Sequence, residues 1–268
     1  MRGSVRPPAV AGRFYPENPR ELEATVRGFL ETASKRRSPG DALPVALVAP
    51  HAGHEYSGPV AGSAYALVTE ARDRFHRAVL LGPSHYVAFE GLALPECAAF
   101  ATPLGEHAVD TGGVKALAVG AVARWARPHR DEHCLEVQLP FIRVALGALP
   151  LVPIVTGDAE PDEIADVLDT LWTPETLVVV SSDLSHYLPY DRAREVDTAT
   201  AAAVEALDVD GIGPHRACGS VALRGLMAWA RRRGLEAHCV DLRNSGDTAG
   251  PKSRVVGYGA FGFWESGH

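Results

Sequence analysis

Four short runs of this chain are apolar without alternation: Val45–Ala49, Ala78–Leu81, Leu151–Val155 and Leu177–Val180. A strand wetted on one side alternates polar and apolar residues, so runs of this kind specify strands covered on both faces. Stretches of helical period lie among them: Pro19–Thr32, Pro59–Val68, Leu135–Leu146, Asp162–Leu171, Arg192–Leu207, and a segment from Cys218 to the Gly234 cap. Apolar strands alternating with helices predict an α/β fold, with a mostly parallel or mixed central sheet and helices on both faces. Two further strands are predicted around Ala237–Leu242 and Val255–Phe263. No linker divides the 268 residues, so a single domain is expected, with residues 1–40 packing on the α/β core.

Composition narrows the function classes. With 46% apolar and 22% charged residues the chain reads as globular, and no apolar run approaches the roughly 18 residues of a membrane span. Met1-Arg-Gly-Ser-Val-Arg-Pro-Pro8 lacks the apolar stretch of a secretory signal, which predicts a cytoplasmic protein. A net charge of -7 argues against nucleic acid as a partner. The basic cluster Lys35–Arg37 reads as a solvated loop. Arg231–Arg233 before Gly234 reads as a helix C-terminus, where cations offset the dipole.

Cys97, Cys134, Cys218 and Cys239 include no C-x-x-C pair, so neither a disulfide framework nor a zinc ribbon is expected, and Cys97 and Cys239 read as small packed side chains. Gly257–Gly262 spells the dinucleotide fingerprint G-x-G-x-x-G, but no helix follows to meet a pyrophosphate. It reads as part of a closing strand, and no nucleotide cofactor is expected. The nucleophile elbow, the phosphate loop and the H-E-x-x-H helix are all missing.

Histidines mark the ends of three apolar runs: His51 after Val45–Pro50, His85 after Ala78–Ser84, and His186 after Leu177–Asp183. Ligands of open α/β sheets gather at the carboxyl ends of strands, so three imidazoles there predict a metal crevice. His54 shares a glycine-containing loop with His51, and an exposed loop imidazole is poor core filler. Asp183 suits either a carboxylate that orients or ligates, or a helix cap. His133 begins a helix beside Asp131 and Glu132, which either raise its pKa as a proton donor or simply favour the helix N-terminus. Cys218 also starts a helix, near Arg216, where a metal-binding thiolate would be stabilised.

Read in order, a series of segments resembles the successive motifs of the Memo family: Pro8-Ala-Val-Ala-Gly-Arg-Phe-Tyr-Pro16, Ala49-Pro-His-Ala-Gly-His-Glu-Tyr-Ser-Gly58, Leu81-Gly-Pro-Ser-His85, Glu132-His-Cys-Leu-Glu-Val-Gln-Leu-Pro140, Ser181-Ser-Asp-Leu-Ser-His186, Ala217-Cys-Gly219, Asn244-Ser-Gly-Asp247 and Val256-Gly-Tyr258. In bacteria and archaea this resembles protein B of the AmmeMemoRadiSam system. The resemblance implies a fold similar to the class III extradiol dioxygenases, non-heme iron enzymes that open catechol rings. By position it implies that His51, His85 and Cys218 hold one metal ion. Asp183 and His186 match the remaining pocket residues, with His186 at the acid/base position, while His133, Tyr187 and His54 are expected to bind substrate or support the ligands.

The dioxygenases use two histidines and a carboxylate. A cysteine in the carboxylate's place makes a softer site, which favours iron or copper, leaves zinc compatible, and counts against ring opening. The expected function is metal-dependent oxidation or oxygenation of a small molecule. Two alternatives stand beside it. One is a non-catalytic metal- or peptide-binding protein that works with a radical-SAM enzyme and AmmeMemoRadiSam system protein A. The other is a Cys218-dependent hydrolase with His186 as base.

Overall fold

The computed structural model describes residues 3–34, 43–117 and 122–266, so the Lys35–Arg37 cluster lies outside the described residues. In chain order the strands are β1 (Val5–Arg6), β2 (Ala46–Ala49), β3 (Arg77–Pro83), β4 (Leu92–Leu94), β5 (Ala99–Thr102), β6 (Gly105–Ala108), β7 (Val122–Arg124), β8 (Leu151–Thr156), β9 (Thr176–Ser181), β10 (His186–Leu188), β11 (Leu235–Asn244) and β12 (Val255–Glu265). The helices are α1 (Pro19–Ser34), α2 (His54–Ala66), α3 (Thr111–Leu117), α4 (Ala126–Arg130), α5 (Leu139–Leu146), α6 (Pro161–Leu171), α7 (Tyr190–Glu205) and α8 (Ser220–Arg233).

The four unbroken apolar runs form adjacent strands in the order β2-β9-β3-β8, all parallel. Every residue of β2, β8 and β9 is buried, as the lack of alternation requires. Antiparallel partners extend this parallel centre on both sides, β12 beside β2 and β4 beside β8. Strand β7 then joins β4, and β11 pairs along nearly all of β12. The sheet is therefore mixed, as expected. A separate three-stranded sheet, β1-β5-β6, gathers shorter segments that periodicity did not announce.

Helices flank this sheet. On α1, Leu22, Val26 and Leu30 recur at helical spacing and are buried where the helix meets α2 and α5. Helix α2 packs on β2, β11 and β12, whereas α8 packs on β3 and β9 with α6 alongside. The α6–α8 approach needs Gly225, since a Cβ there would fall 2.4 Å from Ile164. Helix α8 ends as expected, with Gly234 in the left-handed region at φ 66°. Its arginines also do more than offset a dipole. Arg232 reaches Asp162, Asp166 and Asp169 of α6, and Arg233 lies 3.7 Å from the Trp172 ring centre.

Some boundaries differ from expectation. The Leu135–Leu146 stretch opens as a tight 3₁₀ turn, Glu136–Gln138, because Pro140 suits only the first turn of α5. Helix α2 starts at His54, ahead of the expected Pro59, so His54 is a helix residue. The G-x-G-x-x-G segment lies inside β12, and a Cβ at Gly257 would collide with the Asp197 carboxylate. Among the described residues, no helix is long and apolar enough to cross a membrane.

Candidate metal centre

Neighbouring parallel strands deliver their carboxyl ends to one edge of the sheet. The chain leaves β2 into His51 and β3 into His85, and the two ring centres lie 5.2 Å apart. The third imidazole of the group is His133, which arrives just before the 3₁₀ turn. Its ring is 5.5 Å from that of His51 and stacks 4.6 Å from that of His85. One nitrogen from each of the three falls within 4.8 Å of the others. Gly82 makes this approach feasible, since a Cβ there would lie 2.6 Å from the sulfur of Cys134, the residue after His133.

Hydrogen bonds settle which nitrogens are free. The Ser181 hydroxyl donates to the Cys134 carbonyl at 2.7 Å, so toward His51 Nδ1, at 2.9 Å, it accepts. His85 Nδ1 donates to Glu132 Oε1 at 2.8 Å. Both rings thereby carry their proton on Nδ1 and offer an Nε2 lone pair, which is the tautomer a metal-binding histidine needs. His133 Nδ1 lies 3.4 Å from both the Tyr86 hydroxyl and Glu132 Oε1.

Cys218 adjoins the cluster at His51, with its Sγ 3.2 Å from His51 Nε2, but it is not among the residues whose donor atoms group within 4.8 Å of one another. The Asp183 backbone N–H donates to that sulfur at 3.3 Å, and the Asp183 carboxylate accepts from the backbone N–H groups of His51 (2.7 Å) and Ala52 (3.3 Å). Helix α8 begins only at Ser220, and the expected thiolate is not favoured in the metal-free chain. Burial, with Asp183 adding to it, pushes the Cys218 thiol up to about 12.

Desolvation governs the rest of the cluster as well. Burial, reinforced by His85, lowers His51 to about 3, and burial, reinforced by His51, lowers His133 to about 4. Of the two readings of His133, the proton donor with a raised pKa is not supported, because loss of solvent outweighs the acidic neighbours. Burial would raise Glu132, but its hydrogen bonds and charge interaction with His85 outweigh this and hold it at about 2. Burial raises Asp183.

The other expected residues take different positions. His186 starts β10, is exposed, and donates from Nδ1 to the Leu184 carbonyl at 2.8 Å. It stands outside the three-ring group, although its charge bears on both His51 and Asp183. Tyr187 is exposed at φ 59°, with Arg254 4.9 Å from its ring centre. His54 corrects the loop reading: it is buried, its Nε2 lies 3.2 Å from the Val137 carbonyl, and its ring meets the edge of Phe141. Residues far away in sequence, Tyr15 and Phe141, close over it, so it fills the core.

Glu132 and Ser181 went unrecognised as supports. Glu132 was visible only as an acidic neighbour of His133, and Ser181 only as the end of an apolar run. His85, Glu132 and Cys134 also bring three donor atoms within 4.8 Å of one another.

Comparison with known proteins agrees with the motif series. A model of the family described as Memo-like protein matches residues 6–261. A MEMO1 family protein of Archaeoglobus fulgidus is 35% identical over 274 residues, 97% of this chain and 99% of the relative. Similar proteins from Desulfurococcus amylolyticus (32%; 97% and 99% covered) and Methanopyrus kandleri (33%; 96% and 98% covered) align over as much of their length.

Proposed function

Because the chain belongs to the Memo family, we propose that its crevice binds one transition-metal ion through His51, His85 and Cys218 for oxidation or oxygenation of a small molecule. The observation that carries this reading is that Ser181 and Glu132 occupy both Nδ1 atoms, leaving the Nε2 lone pairs of His51 and His85 for a ligand, with a thiol beside that of His51. His51 and His85 group with His133 closely enough to share a metal ion, and Cys218 would join them from the His51 side. Imidazole with sulfur suits iron or copper, and zinc as well. A metal bound there would act as a Lewis acid and, if redox-active, exchange electrons with its ligand.

The protein's own groups have separate tasks in this reading. Asp183 anchors the backbone at His51 and Ala52, and so fixes where the His51 ring stands. His186, with Nδ1 engaged and its ring exposed, is suited to hold or release a proton at Nε2 toward a bound small molecule. Tyr187 and Tyr86 present exposed rings next to His186 and His85.

The test is metal analysis of protein purified without chelator. His51→Ala and Cys218→Ala are each expected to lower bound metal at least about tenfold, and unchanged content in both variants ends the proposal. Oxygen uptake with a panel of catechols then separates turnover from binding, since uptake that disappears in His186→Ala belongs to an enzyme. Metal binding without turnover would favour the non-catalytic reading, in which the cytoplasmic partners are a radical-SAM enzyme and AmmeMemoRadiSam system protein A. The raised Cys218 thiol counts against a cysteine hydrolase, which needs thiolate.

A further inference from the structure

We infer that Glu132 is a positioning residue of the metal centre, whose carboxylate fixes His85 in the tautomer that offers Nε2. The inference rests on the metal-site reading above. Glu132 is buried, and four N–H groups converge on its two oxygens. Oε2 accepts from the His85 backbone at 2.7 Å. Oε1 accepts from His85 Nδ1 at 2.8 Å, the His133 backbone at 3.0 Å and the Cys134 backbone at 3.1 Å. A carboxylate, which only accepts, satisfies all four. With that many donors on it, Glu132 serves to orient His85 rather than to ligate.

A glutamine cannot replace it in either orientation. With its NH₂ group at the Oε1 position it confronts the His133 and Cys134 backbone N–H donors, and the His85 ring must move its proton to Nε2 and lose the lone pair facing the cluster. With the NH₂ group at the other position, two donors confront each other at the buried His85 backbone N–H. The fit therefore demands a carboxylate and not merely a side chain of this shape.

The N-terminal segment holds this carboxylate in place. Arg6 is buried, and its guanidinium donates to the Glu132 carbonyl (2.5 Å), the His129 carbonyl (2.6 Å) and Glu136 Oε2 (2.7 Å). Glu136 also accepts from the Ala9 and Val10 backbone and from the Tyr15 hydroxyl. Phe14 sets its ring against that of His133, 4.8 Å between centres. Residues 6–15 thereby clamp the stretch from His129 to Glu136, which carries both Glu132 and His133.

The experiment uses the full chain in metal-free form and two readouts. Nitrogen-15 NMR of the His85 ring reports its tautomer, and calorimetric titration with Zn²⁺ reports affinity. Wild type is expected to show the proton on Nδ1. Glu132→Gln is expected to weaken Zn²⁺ about 10–100-fold, with the ring in the Nε2–H form or its backbone N–H displaced according to which way the amide turns, and Glu132→Asp, which keeps both acceptors, to lose less.

Leu226→Ala, buried in α8, serves as a core variant that removes none of the hydrogen bonds named at the cluster. Three results overturn the inference: an Nε2–H ring in wild type, unchanged tautomer and affinity in Glu132→Gln, or an equal affinity loss in Leu226→Ala. If wild type and His51→Ala bind Zn²⁺ equally poorly, the metal-site reading fails, while the His85 tautomer still decides the role of Glu132.

Discussion

The sulfur of Cys218 lies 3.2 Å from Nε2 of His51, across 167 residues of sequence. The two arrive from different directions, His51 at the end of β2 and Cys218 just ahead of α8. Asp183 joins them, accepting from the His51 backbone through its carboxylate and donating its own N–H to the thiol. Burial keeps both side chains uncharged in the metal-free chain. A cation entering the site therefore meets neutral donors and must displace the thiol proton.

Ser181→Ala should weaken metal binding about tenfold. The substitution removes the acceptor at His51 Nδ1 and frees that ring to exchange tautomers. It also strips a donor from the Cys134 carbonyl and an acceptor from Gln138, so a loss of about 1–3 kcal/mol in stability accompanies it. Zn²⁺ calorimetry with denaturant melts checks both effects. Wild-type affinity in the variant would mean that the ring is held by other contacts.

Iodoacetamide should label Cys218 of the metal-free protein at pH 8 at least about tenfold more slowly than a small-molecule thiol. Burial raises the thiol to about 12, and the side chain is only partly exposed. Mass spectrometry of the digested protein reads the rate site by site. Rapid labelling would show that thiolate is present and would restore the cysteine-hydrolase reading.

Acid should destabilise the fold between pH 6.5 and about 4. His54 and His129 are buried neutral, each lowered to about 4 by burial. In that window the unfolded chain binds protons that the folded chain refuses, so stability is full above pH 6.5 and falls as pH falls. The two together account for a loss of roughly 4 kcal/mol by pH 5, about 2 from each. Urea melts at pH 7.5 and pH 5 measure it, and His129→Gln should flatten the slope. Equal stability at the two pH values would contradict the buried neutral state.

Arg6→Ala should cost about 3–5 kcal/mol, because it leaves the fully buried Glu136 carboxylate without its cation. The double variant Arg6→Ala/Glu136→Gln should recover part of that loss by removing the uncompensated charge. Denaturant melts of the three proteins form the comparison. A near-neutral single variant would show that the Ala9, Val10 and Tyr15 donors alone satisfy the carboxylate.

The central strands were legible because burial on both faces writes apolar residues into every position of Val45–Ala49, Ala78–Leu81, Leu151–Val155 and Val178–Val180. Strands β4 to β7 and β10 were not. They are only three or four residues long, too short for any period to emerge. His51 and His85 could be located because a strand's carboxyl end has a known place in an α/β sheet. His186 follows the same rule along the chain, yet Ser182-Asp183-Leu184-Ser185 intervenes between β9 and β10, and its ring stands outside the group that His133 completes.

The sequence by itself therefore determined the α/β class, the parallel centre and two of the imidazoles, because these follow from local pattern. Only the tertiary structure decided the third ring of the group, the proton positions on His51 and His85, and the burial of His54. Each of those depends on partners distant along the chain: Glu132 lies 47 residues from His85, and Ser181 lies 130 from His51. Hydrogen-bond direction and desolvation are set by whatever packs nearby in space, and no periodicity in the sequence encodes that.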